Sequence, residues 1–186
     1  GAGDVNADGY DDIVAGAPFS NPGGRFHAGS AYVFSGKDGS TLYAWDGEAT
    51  GDEIGFSVDG AGDVNRDGYD DVLIGAPHTD PFGQIRAGSL WVRSGKTGAQ
   101  LFRRDAAHAL DYFGFDTAGV GDLTGDGIPD VIGGAPNADP NGIEIAGSVY
   151  VVSGADGTAV RGFFGEHAYN YLGNAVGAMG DVDRDG

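Results

Sequence analysis

Short apolar stretches alternate with polar, glycine-rich turns along the whole chain, and the middle third shows this pattern most clearly. Residues 54–58 alternate between apolar and small positions, as a half-buried strand does. Residues 71–77 form a nearly continuous apolar run closed by a proline, which suits a strand buried on both faces. Two further strands are expected at 87–95 and 100–103, on either side of a turn at 96–98. The pattern therefore predicts four short strands and no helix here.

The same pattern returns along the chain at a fixed spacing. The distances from Gly3 to Gly62, from Gly62 to Gly121 and from Gly121 to Gly180 are all 59 residues. Such self-similarity is the sign of a solenoid, propeller or array, whose units are too small to fold alone and must stack. Four short strands per unit are typical of a propeller blade, whereas a parallel β-helix would repeat over shorter turns.

We therefore predict an all-β fold made of β-propeller blades, each of four antiparallel strands. The chain would hold three 59-residue repeats and a partial fourth. The predicted units are approximately 1–53, 54–112, 113–171 and, incomplete, 172–186.

An acidic segment in each unit places side-chain oxygens at positions 1, 3, 5 and 9. In the second unit these are Asp63, Asn65, Asp67 and Asp71. Gly68 at position 6 allows a sharp turn, after which the carbonyl of Tyr69 at position 7 can point inward. Oxygen ligands at alternate positions around a tight turn are typical of Ca²⁺, which takes about 6–8 of them, whereas Mg²⁺ uses fewer protein ligands in a stricter geometry.

The sequence predicts about three complete Ca²⁺ sites and a truncated fourth. The predicted metal ligands are Asp4, Asn6, Asp8, Tyr10 and Asp12; Asp63, Asn65, Asp67, Tyr69 and Asp71; Asp122, Thr124, Asp126, Ile128 and Asp130; and Asp181, Asp183 and Asp185. A metal-free turn rich in Asp, Asn and Gly is the alternative. Repetition of the ligand positions and repulsion between close carboxylates favour the metal. We expect Thr124 to weaken the third site, and Asp11 and Asp70, at position 8, to point away from the ion.

The composition excludes several classes of partner. The chain has 10 basic and 28 acidic residues, a net charge of −18, which argues against nucleic acids and anionic membranes. It has no Cys, so disulfides and thiolate metal sites are excluded. No stretch is long and apolar enough to span a bilayer, so we expect no membrane insertion. The chain starts inside a unit and without Met, so we expect an excised or processed piece of a longer protein.

The whole chain resembles the FG-GAP repeat family, which forms the β-propellers of integrin α-subunits and of related bacterial extracellular proteins. The resemblance rests on Phe113-Gly114, with Ile54-Gly55 and Leu172-Gly173 as equivalents, and on the Gly-Ala-Pro triplets at 16–18, 75–77 and 134–136. The Asp-x-Asn-x-Asp-Gly-x-x-Asp loop adds to it. The resemblance implies a seven-bladed propeller at the cell surface or outside the cell, with structural Ca²⁺ on one face and ligands on the other. Because only three units are present, self-association or further blades from a longer chain would be needed to close the ring.

The leading functional hypothesis is a calcium-stabilised extracellular module for adhesion or ligand binding, without catalysis. The chain lacks Cys and a Gly-x-Ser-x-Gly motif, and only two of its histidines, His108 and His167, coincide at the period. We therefore predict no catalytic and no cofactor-binding residues. A propeller accessory domain of a secreted hydrolase, a lectin-like glycan binder and an architectural cell-surface array remain alternatives. The protein or glycan ligand is unknown.

Two further expectations concern packing and recognition. The runs 13–15, 72–74 and 131–133 should be the most buried of each blade, and the equivalent aromatics Tyr32, Trp91 and Tyr150 should pack the blades rather than form a sugar platform. The segments 19–27, 78–86 and 137–145, which we call the variable loops, share length but little sequence. A scaffold that carries recognition on its loops shows this distribution, although loops without constraint drift in the same way.

Overall fold

The computed structural model describes residues 1–180, and all of its regular elements except three single turns are strands. The strands are β1 (Ile13–Ala17), β2 (Ser30–Phe34), β3 (Thr41–Asp46), β4 (Ser57–Gly62), β5 (Asp71–Ala76), β6 (Ser89–Arg93), β7 (Gln100–Asp105), β8 (Thr117–Gly121), β9 (Asp130–Ala135), β10 (Ser148–Val152) and β11 (Ala159–Phe164). Three-residue 3₁₀ turns occur at Pro22–Gly24, Pro81–Gly83 and Pro140–Gly142. No helix in the described part of the chain is long and apolar enough to cross a membrane.

The strands form three antiparallel sheets in which chain neighbours are also spatial neighbours. The first sheet has the order β1-β2-β3, the second β4-β5-β6-β7 and the third β8-β9-β10-β11. The prediction of an all-β fold made of four-stranded antiparallel blades is confirmed for the second and third sheets. The first sheet has three strands, because the described residues contain no counterpart of β4 and β8 ahead of it.

Glycine pairs set the distance between neighbouring sheets. A Cβ at Gly75 would overlap the carbonyl oxygen of Gly114, and one at Gly16 would overlap that of Gly55. The third pair of this kind is Gly134 and Gly173. The glycine of each Gly-Ala-Pro triplet therefore meets the backbone of the Phe-Gly type pair that opens the next unit, and only glycine allows so close an approach.

The prediction of a strand at 54–58 was wrong in its start. Gly55 has φ +80°, and its amide donates to the carbonyl of Gly75 in the neighbouring strand β5 at 3.1 Å. Ile54 forms an isolated parallel bridge with Gly29 of the preceding unit. Residues 54–56 therefore form a turn that joins two units, and the ladder of β4 begins only at Ser57.

The core lies between the sheets and is centred on β5 and β9. Val72, Leu73 and Ile74 are fully buried, and residues 131–133 are also buried, which confirms the prediction for these two runs. The prediction was wrong for 13–15, because Ile13 is 56% exposed. The reason is that β1 has a ladder partner on one side only.

The equivalent aromatic residues contribute to this core in different ways. Trp91 is 1% exposed and packs with Ile74 and Val33 between the first and second sheets, which confirms its predicted packing role. Tyr150 is only partly buried and packs against the cluster between the second and third sheets, where its ring meets Phe113 edge to face at 5.9 Å. The same position therefore has different surroundings from unit to unit.

Candidate metal centre

The acidic loops lie at one end of the sheets. The loop 62–71 joins β4 to β5, the loop 121–130 joins β8 to β9, and the loop 3–12 leads into β1. Because neighbouring strands run antiparallel, successive connections alternate between the two ends of a sheet. The variable loops, which follow β1, β5 and β9, therefore lie at the opposite end.

The carboxylate at position 1 organises each acidic loop. Asp63 accepts the amide of Asp67 on Oδ1 and the amide of Gly68 on Oδ2, both at 2.9 Å. The equivalent bonds form on Asp4 and on Asp122. Gly68 has φ +86°, in the left-handed region that favours glycine, as the sequence predicted for position 6.

Position 4 of each acidic loop is also left-handed, which sequence reasoning missed. Ala7 has φ +56° and Arg66 has φ +58°, whereas the third loop has Gly125 there at φ +77°. Residues other than glycine, Asn and Asp adopt this region only at some cost. Gly125 was the one feature of the sequence that indicated a left-handed residue at position 4.

Positions 3 and 5 continue the inward turn. Asn65 Oδ1 accepts the amide of Asp67 at 3.0 Å, and Asp67 Oδ1 accepts the amide of Tyr69 at 3.2 Å. Thr124 behaves differently, because its hydroxyl donates to Asp122 Oδ1 at 3.4 Å instead of accepting an amide. Position 3 therefore makes a different hydrogen bond in the third loop. The expectation that the third site binds Ca²⁺ less tightly rests on this residue.

The carboxylate at position 9 is buried and ties the loop to a second turn. Asp71 Oδ2 accepts the amide of Val64, and Asp71 Oδ1 accepts the amide of Gly95 in the turn after β6, both at 3.0 Å. The equivalent bonds join Asp12 to Val5 and Gly36, and Asp130 to Leu123 and Gly154. The sequence signal for this link was the Ser-Gly pair that recurs at 35–36, 94–95 and 153–154.

Contacts between neighbouring acidic loops involve position 8 and position 4. Asp70 Oδ2 accepts the amide of Asp4 at 2.8 Å, so this carboxylate serves the preceding loop. Pro129 replaces Asp70 in the third loop and cannot do so. Between the second and third loops, Arg66 Nη2 donates to the carbonyl of Asp126 at 2.8 Å instead. The acidic loops are thus linked to one another across the unit boundaries.

The surroundings of the buried carboxylate in the second loop disfavour its negative charge. Burial raises the pKa of Asp71 to about 6, with the charges of Asp67 and Asp63 acting in the same direction, although the amides of Gly95 and Val64 lower it. The pKa of Asp71 thus records both the desolvation of this carboxylate and its repulsion by the two other acids. A cation bound among these carboxylates would relieve that repulsion.

The donor set of the loops fits Ca²⁺, although its oxygens are not gathered around one point. Among residues 1–180, no three His, Asp or Glu side chains form a group arranged to hold a metal ion. The hydrogen bonds explain this, because the oxygens at positions 1, 5 and 9 face backbone amides. Each carboxylate oxygen keeps a second lone pair, and all predicted ligands are the hard oxygens that Ca²⁺ prefers. The ligands in the first three loops remain predictions, and Asp181, Asp183 and Asp185 lie outside the described residues.

A family model decides the relationship of this chain to known proteins. The model of the FG-GAP repeat matches residues 1–34, 55–92 and 113–152, which together cover more than half of the chain. The chain belongs to the FG-GAP repeat family. Each match includes an acidic loop and a Gly-Ala-Pro triplet, whose glycine lies against the backbone of the next unit.

The curated relatives that the chain resembles are integrin alpha subunits. Integrin alpha pat-2 of Caenorhabditis briggsae is 32% identical over 179 residues, which cover 82% of this chain and 14% of that protein. Integrin alpha-6 of Gallus gallus is 32% identical over 148 residues, covering 71% of this chain and 12% of the relative. Integrin alpha-V of Gallus gallus is 30% identical over 161 residues, covering 82% and 14%. The FG-GAP chain thus spans about one seventh of the length of these relatives.

A solved structure supports the fold alone. The crystal structure of rhamnogalacturonan lyase YesW superposes with a TM-score of 0.51 at 14% identity, covering 92% of this chain and 34% of the lyase. Together with the three antiparallel sheets and the FG-GAP repeats, this similarity identifies the architecture as that of β-propeller blades.

Proposed function

We propose that this FG-GAP chain is a calcium-stabilised extracellular β-propeller module that serves adhesion or ligand binding and has no catalytic role. The observation that carries the proposal is the separation of two kinds of loop at opposite ends of the same sheets. The acidic loops repeat closely in sequence and geometry, whereas the variable loops repeat in geometry alone. The similarity to integrin alpha subunits supports a role outside the cell.

Calcium would act on this chain as a structural ion. The oxygens at positions 1, 3, 5 and 9, with the carbonyl at position 7, would hold it, and its charge would offset the repulsion between the loop carboxylates. Because Asp71 also binds the amide of Gly95, an ordered acidic loop would hold the turn after β6 in place. The chain's own residues thus connect the proposed ion to the hairpin of each blade.

The variable loops share a hydrogen bond at their base that sequence reasoning missed. Asp80 directly precedes the 3₁₀ turn in the loop after β5. Its Oδ1 accepts a hydrogen bond from the amide of Arg86 at 2.7 Å. The equivalent bonds join Asn21 to His27 at 2.7 Å and Asp139 to Ile145 at 2.6 Å. The three loops therefore share one backbone anchor while their tips differ. A rigid loop with a changeable tip is suited to recognition.

The tips of the variable loops expose apolar side chains. Phe82 is 87% exposed and Ile85 61%, and in the first unit Phe19 and Phe26 are 60% and 61% exposed. Large exposed apolar side chains close together mark surfaces that bind other molecules. This supports ligand binding at the end of the blades opposite the acidic loops.

Serine substitutions at the tips of the variable loops test whether these loops bind a ligand. Phe82, Gln84 and Ile85 would be changed to Ser while Gly83 and Arg86 are kept, so that the backbone anchor remains. The equivalent tip positions of the other two loops would be changed in turn. Binding would be measured against a panel of purified extracellular matrix proteins and glycans in excess Ca²⁺. We expect loss of binding with an unchanged, calcium-dependent melting curve. Unchanged binding after all three loops are altered would contradict the proposal.

A further inference from the structure

A groove of about 670 Å³ opens between the connection that follows β7 and the variable loop that follows β9. Residues 108–111 form one wall and residues 137–141 and 144–145 the other, while Ser148, Tyr150 and Phe164 also line the groove. Its volume falls in the range of about 300–1,000 Å³ that is usual for small-ligand sites. The groove lies at the end of the sheets opposite the acidic loops.

The second unit fills the equivalent place with a polar network. Ser89 Oγ donates to Asp105 Oδ1 and shares a hydrogen bond with Thr79 Oγ1, both at 2.6 Å. Arg103 Nη2 donates to Ser89 Oγ at 3.0 Å, and its guanidinium lies 5.2 Å from the centre of the Trp91 ring. The buried hydroxyl of this unit is therefore fully partnered and covered by an arginine.

The third unit has lost this network. The residues that replace Thr79, Arg103 and Asp105 are Ala138, Gly162 and Phe164. Ser148, the equivalent of Ser89, is fully buried, and its Oγ has no hydrogen-bond partner among residues 1–180. A buried polar atom without a partner is rare in folded proteins and calls for a specific explanation, such as a group that the site receives from outside.

The substitutions also create an aromatic wall in the groove. A Cβ on Gly162 would lie 2.8 Å from Phe164 Cζ, so the absence of a side chain there leaves the space that the ring occupies. The rings of Tyr150 and Phe164 are 6.1 Å apart at 75°, and Phe164 is 48% exposed. The third unit thus presents an aromatic surface where the second unit has an arginine over a tryptophan.

The rim of the groove supplies hydrogen-bond acceptors at fixed positions. Asp139 Oδ1 already accepts the amide of Ile145 at 2.6 Å, and Asp111 Oδ2 lies 3.6 Å from Nδ1 of His108. Glu144 also lines the groove and is exposed. The carboxylate oxygens of Asp111, Asp139 and Glu144 keep lone pairs that can accept hydrogen bonds from ligand hydroxyl groups. Their negative charge disfavours an anionic ligand such as a sialylated sugar.

We propose that this groove binds a short neutral oligosaccharide. The apolar face of a sugar ring would pack on Phe164 and Tyr150, and its hydroxyl groups would donate to the carboxylates of the rim. The proposal rests on the proposed ligand-binding function and names the ligand class and the unit that carries it. The structural basis is the joint loss of three side chains that seal the same place in the second unit.

The test transfers the polar network of the second unit into the third. The triple variant Ala138→Thr, Gly162→Arg and Phe164→Asp would fill the groove and give Ser148 the partners that Ser89 has. An array of neutral and sialylated oligosaccharides and an Arg/Lys-rich peptide would be probed in excess Ca²⁺, and the tightest neutral binder would be titrated calorimetrically. We expect the triple variant to weaken its Kd at least about tenfold. The control Phe163→Ala removes an aromatic ring that is as exposed as that of Phe164 but does not line the groove, and it should leave the Kd unchanged.

Several results would overturn the proposal. These are the absence of binding to neutral oligosaccharides, a Kd that the triple variant leaves unchanged, and groove-dependent binding of the peptide alone. If the triple variant does not fold, Glu144→Ile replaces an exposed rim acceptor with its counterpart from the second unit and should weaken the same Kd. Calcium-dependent melting and loop-dependent binding to a matrix protein would persist if this proposal alone fails, which separates its failure from that of the proposed function.

Discussion

Replacing Gly75 with alanine should destabilise the chain through the contact between the second and third sheets. A Cβ at this position would overlap the carbonyl oxygen of Gly114 and the hydroxyl of Ser57, both well inside the 3.4 Å at which ordinary contact begins. The Ser57 side chain can rotate away. The Gly114 carbonyl cannot, because it belongs to the backbone of the next unit, whose amide donates to Gly134 at 3.0 Å. The two sheets would therefore have to separate locally.

The expected size of this effect follows from the cost of overpacking a core. Extra methyl groups in a well-packed interior cost about 1–3 kcal/mol, and a clash between two backbones belongs at the upper end. For a chain of this size, each kcal/mol lowers Tm by about 2–4 °C, so we expect a decrease of about 6–12 °C. Calorimetry in excess Ca²⁺ would measure it.

Gly177→Ala provides the matched control for this prediction. A Cβ there meets no atom within 4 Å, and the residue is not in the left-handed region. Its Tm should equal that of the unaltered chain. If Gly75→Ala melts at the same temperature as Gly177→Ala, the close contact between Gly75 and Gly114 does not set the spacing between the sheets, and the reasoning is refuted.

Three further predictions concern the acidic loops and a buried acid. Asp67→Ala should remove more of the calcium-induced rise in Tm than Thr124→Ala, because it removes a charged ligand; equal losses would contradict this. Asp70→Ala should speed hydrogen exchange at the Asp4 amide, measured by NMR, because that amide loses its acceptor; unchanged exchange would show that the link between loops is absent. Burial raises the pKa of Asp52, so its contribution to stability is present below the unfolded pKa of about 3.9 and is lost as the pH rises through the raised value. In chelator, Asp52→Asn should therefore gain in Tm relative to the unaltered chain as the pH rises from about 3.9, and a constant difference would contradict this.

The blade architecture was predictable because the sequence states it three times. A single copy of residues 71–77 could have been a buried helix segment, whereas four short runs at one spacing suit only a few folds. The start of β4 was not predictable from periodicity. Ile54 and Gly55 carry an apolar pattern, yet Gly55 turns where it meets the backbone of Gly16 in the preceding unit. That contact joins parts of the chain that no local pattern connects.

The residues of the candidate site were predictable, and the hydrogen bonds that link them to distant parts of the chain were not. Alternate oxygens and the glycine at position 6 follow from the geometry of a tight turn, so Asp63, Asp67 and Gly68 could be placed from sequence. The bonds from Asp71 to Gly95 and from Asp70 to Asp4 join residues 24 and 66 positions apart. Such links depend on how hairpins and units pack, which local spacing does not encode.

The groove of the third unit shows a further limit of reasoning from repeats. Tyr150 and Trp91 are equivalent in sequence, and both were expected to pack the blades. Their surroundings differ because Gly162 replaces Arg103 at the position directly opposite the aromatic residue on the adjacent strand, which removes the group that covers the ring. Repetition predicts what the units share, whereas recognition depends on side chains that one unit has changed.

The most direct test of the central claim is a titration of the metal-free chain with Ca²⁺, followed by calorimetric melting in Ca²⁺ and in excess chelator. The account predicts about three bound ions per chain and a marked fall in Tm in chelator, since each site at a hundredfold excess over Kd adds about 2.7 kcal/mol to the free energy of unfolding. Asp67→Ala should reduce the stoichiometry by one. A chain that binds no Ca²⁺, or that melts at the same temperature after confirmed removal of the metal, would contradict the claim that the acidic loops are calcium sites.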